Sequence, residues 1–381
     1  MLGKTHTGHT YIRGNSPVEG YQLAIPEDTV TIPKLLKQAG YTTGLVGKWG
    51  LGGPDTSGAP NKQGFDYFYG YLGQAQAHFY YPPHLWENNE KVILEGNSDG
   101  KKETYSHDLI AEKSLEFIKQ NKDKPFFLYL ALTIPHAEII VPEDSMVEYK
   151  DKFEEKPYIG RHYGSQETPR AAFAGMVSRM DRDVGRVLDL LKELGIEEKT
   201  LVIFSSDNGP HQEGGHDPEF FNSGGFLRGI KRDLYEGGIR VPMTAYWPGQ
   251  INPGRVSDHI SAFWDLLPAC CELAGVDPPE GIDGVSFVPE LIGYRQPSHE
   301  YLYWEFHERG GKQAVRMRDW KAVRLNVKKD TEGPIELYNL REDQREEKNI
   351  AEQNPEIVKR IEKIMREART SSEKFPLSDK M

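Results

Sequence analysis

The 381-residue chain carries 47 Lys and Arg against 58 Asp and Glu, a formal net charge of −11, with 37% hydrophobic and 28% charged residues. A length of this order exceeds one small core and predicts a large domain followed by a smaller one. The acidic balance argues against a nucleic-acid binder, which would present a basic face, and the sequence contains no run of eighteen apolar residues of the kind that forms a helical membrane span.

In chain order, residues 1–17 (MLGKTHTGHTYIRGNSP) are polar, Gly-rich and His-bearing, the composition of a loop rather than of a leading strand. Residues 32–40 predict a short amphipathic helix stopped by Gly40. Residues 41–47 predict a strand that delivers Lys48 to its carboxyl end. The aromatic-heavy stretch 52–83 reads as loop, either locally packed or a platform for sugar or aryl groups. A helix follows over 107–121, then a buried strand over 125–132 that ends at Thr133-Ile134-Pro135-His136. The charged stretch 141–167 has no strong pattern, and 168–194 predicts the longest helix, with Phe173, Met176, Met180, Val184, Val187, Leu188 and Leu191 as its apolar stripe.

Leu201-Val202-Ile203-Phe204 is an uninterrupted apolar run, expected as a central strand buried on both faces. It ends at Asp207-Asn208-Gly209-Pro210. A Gly- and His-rich loop then leads through Lys231 to Tyr235-Glu236-Gly237-Gly238-Ile239-Arg240-Val241-Pro242, which looks like the start of another strand. Residues 258–274 predict a helix in which the only cysteines, Cys270 and Cys271, serve core packing. From residue 301 the period changes to two: segments 301–306, 313–317, 320–325 and 335–340 predict a small antiparallel sheet, closed by a charged helix over 355–368. The expected fold is α/β: a doubly wound, mostly parallel sheet flanked by helices over residues 1–296, plus a small C-terminal antiparallel sheet with a packed helix over 297–381.

Strand ends in such a sheet are where ligands bind. Four of them carry Lys48, His136, Asp207 with Asn208 and, one loop further on, Lys231. Each has a plain structural reading: a solvated lysine, a hydrogen-bonded histidine, an Asp-Asn-Gly turn. Together they specify a site. Ammonium groups neutralise a tetrahedral oxyanion, a histidine protonates a leaving oxygen, and Asp and Asn oxygens hold a divalent cation. The chemistry this supports is hydrolysis of a sulfate or phosphate ester.

Gly47-Lys48-Trp49-Gly50-Leu51-Gly52, Pro135-His136, Ser206-Asp207-Asn208-Gly209-Pro210, Arg228-Gly229-Ile230-Lys231 and the segment from Tyr235 to Pro242 form a specific set. With Asp283-Gly284-Val285-Ser286 and Glu336-Leu337-Tyr338-Asn339-Leu340, they make the chain resemble the sulfatases of the alkaline-phosphatase superfamily, in particular the bacterial arylsulfatase-like members. The resemblance spans nearly the whole chain. It implies Asp207 and Asn208 as ligands of one Ca²⁺, Lys48 and Lys231 as sulfate-binding lysines, and His136 as a contact or proton donor on the ester oxygen. His211 is a further expected substrate contact. The implied partner is a small sulfate ester or a sulfated glycan, and the implied compartment is the periplasm or the cell exterior.

Three departures from the family pattern qualify these expectations. Gly50 stands where many relatives have histidine, leaving His78, His211 or His216 as candidates to replace it in space. Met1-Leu2-Gly3-Lys4 aligns with the tail of the motif whose Cys or Ser becomes formylglycine, so the nucleophile and its neighbouring arginine are expected upstream of Met1. The paired aspartates of the first strand, the rest of the Ca²⁺ shell, are expected there too, with any export signal, and without that strand the sheet would have a gap or a raw edge. Two alternatives stay open: a catalytically inactive, truncated chain that binds sulfated ligands, and a phosphodiesterase or phosphonate hydrolase of the same superfamily.

Overall fold

A computed structural model describes residues 21–160, 162–371 and 376–378; the loop reading of residues 1–17 lies outside them. Helix α1 (Ile32–Gln38) leads into strand β1 (Thr42–Lys48), followed by β2 (Tyr67–Tyr71), β3 (His84–Glu87) and β4 (Glu90–Ile93). Helix α2 (Ser106–Asn121), β5 (Phe126–Ala131), α3 (Glu143–Met146), α4 (Pro169–Glu193) and β6 (Val202–Ser205) come next. The chain continues through α5 (Glu236–Ile239), β7 (Met243–Tyr246), α6 (Leu266–Ala274) and α7 (Val288–Leu291). It closes with β8 (Leu302–Phe306), β9 (Lys312–Met317), β10 (Trp320–Leu325), β11 (Ile335–Asn339) and α8 (Pro355–Glu367).

The main sheet has the order β4-β3-β2-β1-β5. Strand β1 runs parallel to both β2 and β5, while β3 and β4 add antiparallel neighbours at one edge. Alternation along β1 and β2 fills both faces. Val46, Tyr69 and Tyr71 pack with Leu85 and Ile110 on one side, and Leu45 and Phe68 pack with Trp49, Phe65 and Trp86 on the other. The stretch 52–83 is therefore not all loop. Its Tyr-Phe-Tyr-Gly-Tyr segment is a buried strand beside β1, and the hairpin after it extends the sheet. Helix α6 also starts later than expected, at Leu266, because the Asp265 carboxylate draws the preceding segment into a turn by accepting from Ala262 N at 2.7 Å.

The two strands expected to be fully buried are not. Among the described residues, strand β5 pairs only with β1, and β6 pairs only with β7, in a separate antiparallel ladder. Tyr129 and Phe204 remain 42% and 40% exposed. Both strands line a cavity of about 2110 Å³ that reaches Lys48, His136, Asp207 and Asn208. The apolar pattern records faces suited to burial, but the described residues place no neighbour against these edges.

The C-terminal sheet is antiparallel throughout, in the order β11-β10-β9-β8. Val315, Ala322 and Leu337 face Ile361 and Met365 of α8. The alternate residues Ala314, Val323 and Tyr338 face Leu234 and Tyr235. This small sheet is thus packed on both faces, one by a helix and the other by the loop that follows Lys231.

Candidate active site

Lys48 is the last residue of β1, and His136 lies in the turn after β5, where its backbone N donates to Thr133 O at 3.0 Å. Lys231 Nζ meets His136 Nε2 at 2.7 Å, although 95 residues separate them. His136 Nδ1 lies 2.8 Å from Ala137 O, which can only accept, so Nδ1 carries the proton and Nε2 offers its lone pair to the Lys231 ammonium. Burial, followed by the Lys231 charge, pushes the His136 pKa down to about 3. His136 is therefore neutral at neutral pH, and the proton between these two residues resides on lysine.

Asp207 and Asn208 follow β6. Asp207 acts electrostatically on both lysines, and Lys231 acts on Lys48, so the expected cations and carboxylate share one neighbourhood. Burial is the largest influence on each lysine and lowers its pKa; the Asp207 charge opposes that shift. Asn208 donates Nδ2 to Gly209 O at 3.0 Å, leaving its side-chain oxygen as the metal-type donor. Among the described residues no group of three or more His, Cys, Asp or Glu side chains is placed to hold a metal ion. Asp207 and Asn208 do not complete the shell of a hard cation, which takes about six to eight oxygens.

Backbone contacts between loops set this geometry. Gly209 N donates to Gly238 O at 2.9 Å, Gly237 N to Arg228 O at 2.7 Å and Lys231 N to Pro210 O at 2.8 Å. A Cβ on Gly237 would lie 2.6 Å from Arg228 O, and one on Gly209 would lie 3.0 Å from the Gly238 Cα. The glycines of this segment therefore answer to close backbone approach.

His211, expected as a substrate contact, lines the same cavity as His136 and packs against its ring. Its ring stacks on that of His136 at 4.9 Å. Its Nε2 donates to Pro135 O at 3.1 Å, and its Nδ1 accepts from Glu213 N at 3.1 Å, so both nitrogens are committed. His78 stacks on His136 at 5.0 Å and 8°. His216 stacks on Phe173 at 3.7 Å and stands 5.1 Å from His211, one ring further from His136. Of the three candidates to replace a histidine at Gly50, His78 and His211 touch the His136 ring. Among the described residues, a Cβ on Gly50 would meet Gln22 Oε1 at 3.8 Å, an ordinary contact. His162 and Tyr163, which meet the His78 ring edge-on, carried no sequence signal.

Comparison with known proteins bears on the family and the fold. The family model described as Sulfatase matches residues 2–276, and one described as N-sulphoglucosamine sulphohydrolase, C-terminal, matches 227–371. N-acetylgalactosamine-6-sulfatase of Homo sapiens is 31% identical over 300 residues, covering 74% of this chain and 52% of that protein. Arylsulfatase A of Homo sapiens is 30% identical over 331 residues, covering 78% of this chain and 59% of that protein. The chain thus spans about half the length of the curated relatives it matches. Among solved structures, Ps i-CgsB in complex with k-i-k-neocarrahexaose superposes with a TM-score of 0.79 at 29% identity, over 97% of this chain and 81% of that one. The α/β architecture with its small C-terminal antiparallel sheet and helix is that of the alkaline-phosphatase-like fold. The chain belongs to the sulfatase family.

Proposed function

We propose that this chain serves the hydrolysis of sulfate monoesters, with Lys48, Lys231 and His136 as the residues that meet the substrate. The observation that carries the reading is the Lys231–His136 contact at 2.7 Å with Lys48 and Asp207 in the same electrostatic neighbourhood. Two partly buried ammonium groups face an anion better than exposed ones, since little water competes for them. As the oxygen of the attacking nucleophile, in net terms that of water, bonds to sulfur, the S–O bond to the alcohol breaks and its electron pair goes to the leaving oxygen. Lys231 is the proton store for that oxygen, with His136 as relay and contact: Ala137 O fixes the tautomer, and the His78 and His211 rings fix the plane.

A divalent cation fits the family, and two oxygen donors, Asp207 and Asn208, favour Ca²⁺ as the ion they would help to hold. When bound it would supply Lewis-acid neutralisation of the sulfate oxygens. The proposed substrates are aryl or carbohydrate sulfates. A carbohydrate is favoured by the neocarrahexaose complex of the structural relative. The proposed setting, periplasm or cell exterior, follows the family resemblance. The boundary near residue 297 is likewise a proposal, favoured by the return to period-two strands from Leu302.

The test is hydrolysis of p-nitrophenyl sulfate by this chain and by an upstream-extended form, each with and without added Ca²⁺. Hydrolysis that needs both Lys48 and Lys231 and prefers the sulfate to p-nitrophenyl phosphate supports the reading. Hydrolysis indifferent to both lysines overturns it.

A further inference from the structure

The loop bearing Lys231 is gripped from the C-terminal sheet by side chains that ordinary strand patterning would place in solvent. Lys312 of β9 is 9% exposed and donates Nζ to Arg232 O at 2.8 Å and to Asp233 Oδ1 at 2.7 Å, directly beside Lys231. Lys321 of β10 is fully buried and donates Nζ to Glu236 Oε1 at 2.8 Å. Glu346, also fully buried, accepts from Glu236 N at 2.7 Å. Arg228 donates to Tyr338 Oη of β11 at 3.0 Å and lies 3.9 Å over the Tyr235 ring. Every one of these contacts ends on the segment 228–236, whose Lys231 N bonds Pro210 O, while Gly238 O just beyond it accepts from Gly209 N, beside Asp207 and Asn208.

Buried charges of this kind are poor generic cement, because apolar residues of similar volume often stabilise as well or better. What they supply is direction: each ammonium has defined acceptors on the loop, so the sheet can meet it in one register. We infer that Lys312 and Lys321 are positioning residues for the site, fixing the segment 228–240 so that Lys231 Nζ meets His136 Nε2. The importance of that contact for substrate rests on the reading of Lys231 as a sulfate-binding lysine; the positional claim itself does not.

The experiment uses the full chain with ¹⁵N-labelled histidine, comparing wild type with Lys312→Met, Lys321→Met and Lys312→Arg. Methionine keeps the alkyl packing and removes the donor. The readout is the His136 Nε2 resonance, which reports the Lys231 hydrogen bond whether or not a ligand is present. The expected result is that this resonance moves toward that of an unbonded neutral nitrogen in both Met variants and returns in Lys312→Arg. Affinity for p-nitrophenyl sulfate should fall about tenfold or more in Lys312→Met, since misplacement of about 1 Å can cost a hundredfold. Lys321→Met leaves two buried carboxylates without their ammonium and can compromise folding. Lys312→Met decides in that case, because its acceptors are a backbone carbonyl and the partly exposed Asp233. A folded Lys312→Met chain with an unchanged His136 resonance overturns the inference. A wild-type chain that fails to bind the aryl sulfate, while the Met variants still shift the resonance, instead overturns the functional reading and leaves the positioning role standing.

Discussion

His78 offers a quantitative test of the histidine stack. The residue is 5% exposed, and its pKa is pushed down to about 4, first by burial and then by the charges of Lys48 and Lys231. A histidine depressed in the folded state contributes stability that is complete above its unfolded value of 6.5 and is lost as pH falls through about 4. At about pH 5 the unfolded chain would hold this proton almost fully and the folded chain scarcely at all, a cost of about 2 kcal/mol relative to about pH 7.5. His78→Phe keeps a ring against His136 and removes the titration. Urea unfolding of both proteins at the two pH values, followed by tryptophan fluorescence, isolates the term, because the remaining groups titrate in both. Wild type should lose about 2 kcal/mol more than the variant on acidification. Equal losses would show that His78 is not held neutral by its surroundings and would refute the reasoning.

Lys231→Ala should abolish binding of p-nitrophenyl sulfate with little change in urea midpoint, and it should raise the His136 pKa, because the Lys231 charge is the second cause of its depression after burial. Retained affinity, or an unmoved His136 titration by NMR, would count against the site. Gly237→Ala places a Cβ 2.6 Å from Arg228 O, backbone that cannot swing aside, and should cost about 1–3 kcal/mol in urea unfolding. Wild-type stability would contradict the close-approach argument. Glu346, whose pKa burial pushes up to about 7, gives the opposite pH sense. Its contribution is present below about pH 4.5 and is lost as pH rises through about 7, so Glu346→Gln should flatten that decline in a pH series of unfolding curves.

Much of this architecture can be read in the residue pattern, and the exceptions have physical causes. The period of two from residue 301 onward marks β8–β11 because each strand has two distinct faces, both covered in the fold. The end of β1 at Lys48 and of β6 just before Asp207 follow from apolar runs meeting polar residues. Strand β2 was hidden because Tyr and Gly in quick succession look like loop, although Phe68 and Tyr69 alternate onto opposite faces of the sheet. The runs 126–131 and 202–205 are apolar enough for full burial, yet among the described residues each pairs on one side only, and Tyr129 and Phe204 are partly exposed.

Within the site, the strand-end residues were legible one at a time, but their mutual geometry was not. Nothing in local sequence brings His78, His136 and His211 into one stack, because three separate loops supply the rings. Lys312 and Lys321 drew no reading from the sequence, and the segment after Lys231 covers the face that buries them.

The central claim is that Lys48, His136 and Lys231 form one receptor for a sulfate ester. The most direct measurement is a titration of the chain with p-nitrophenyl sulfate while the His136 Nε2 resonance is followed, in wild type, Lys48→Ala and Lys231→Ala. The account predicts saturable binding that shifts this resonance in wild type and is lost in both variants. Binding that persists in both, or that leaves His136 undisturbed, would contradict it.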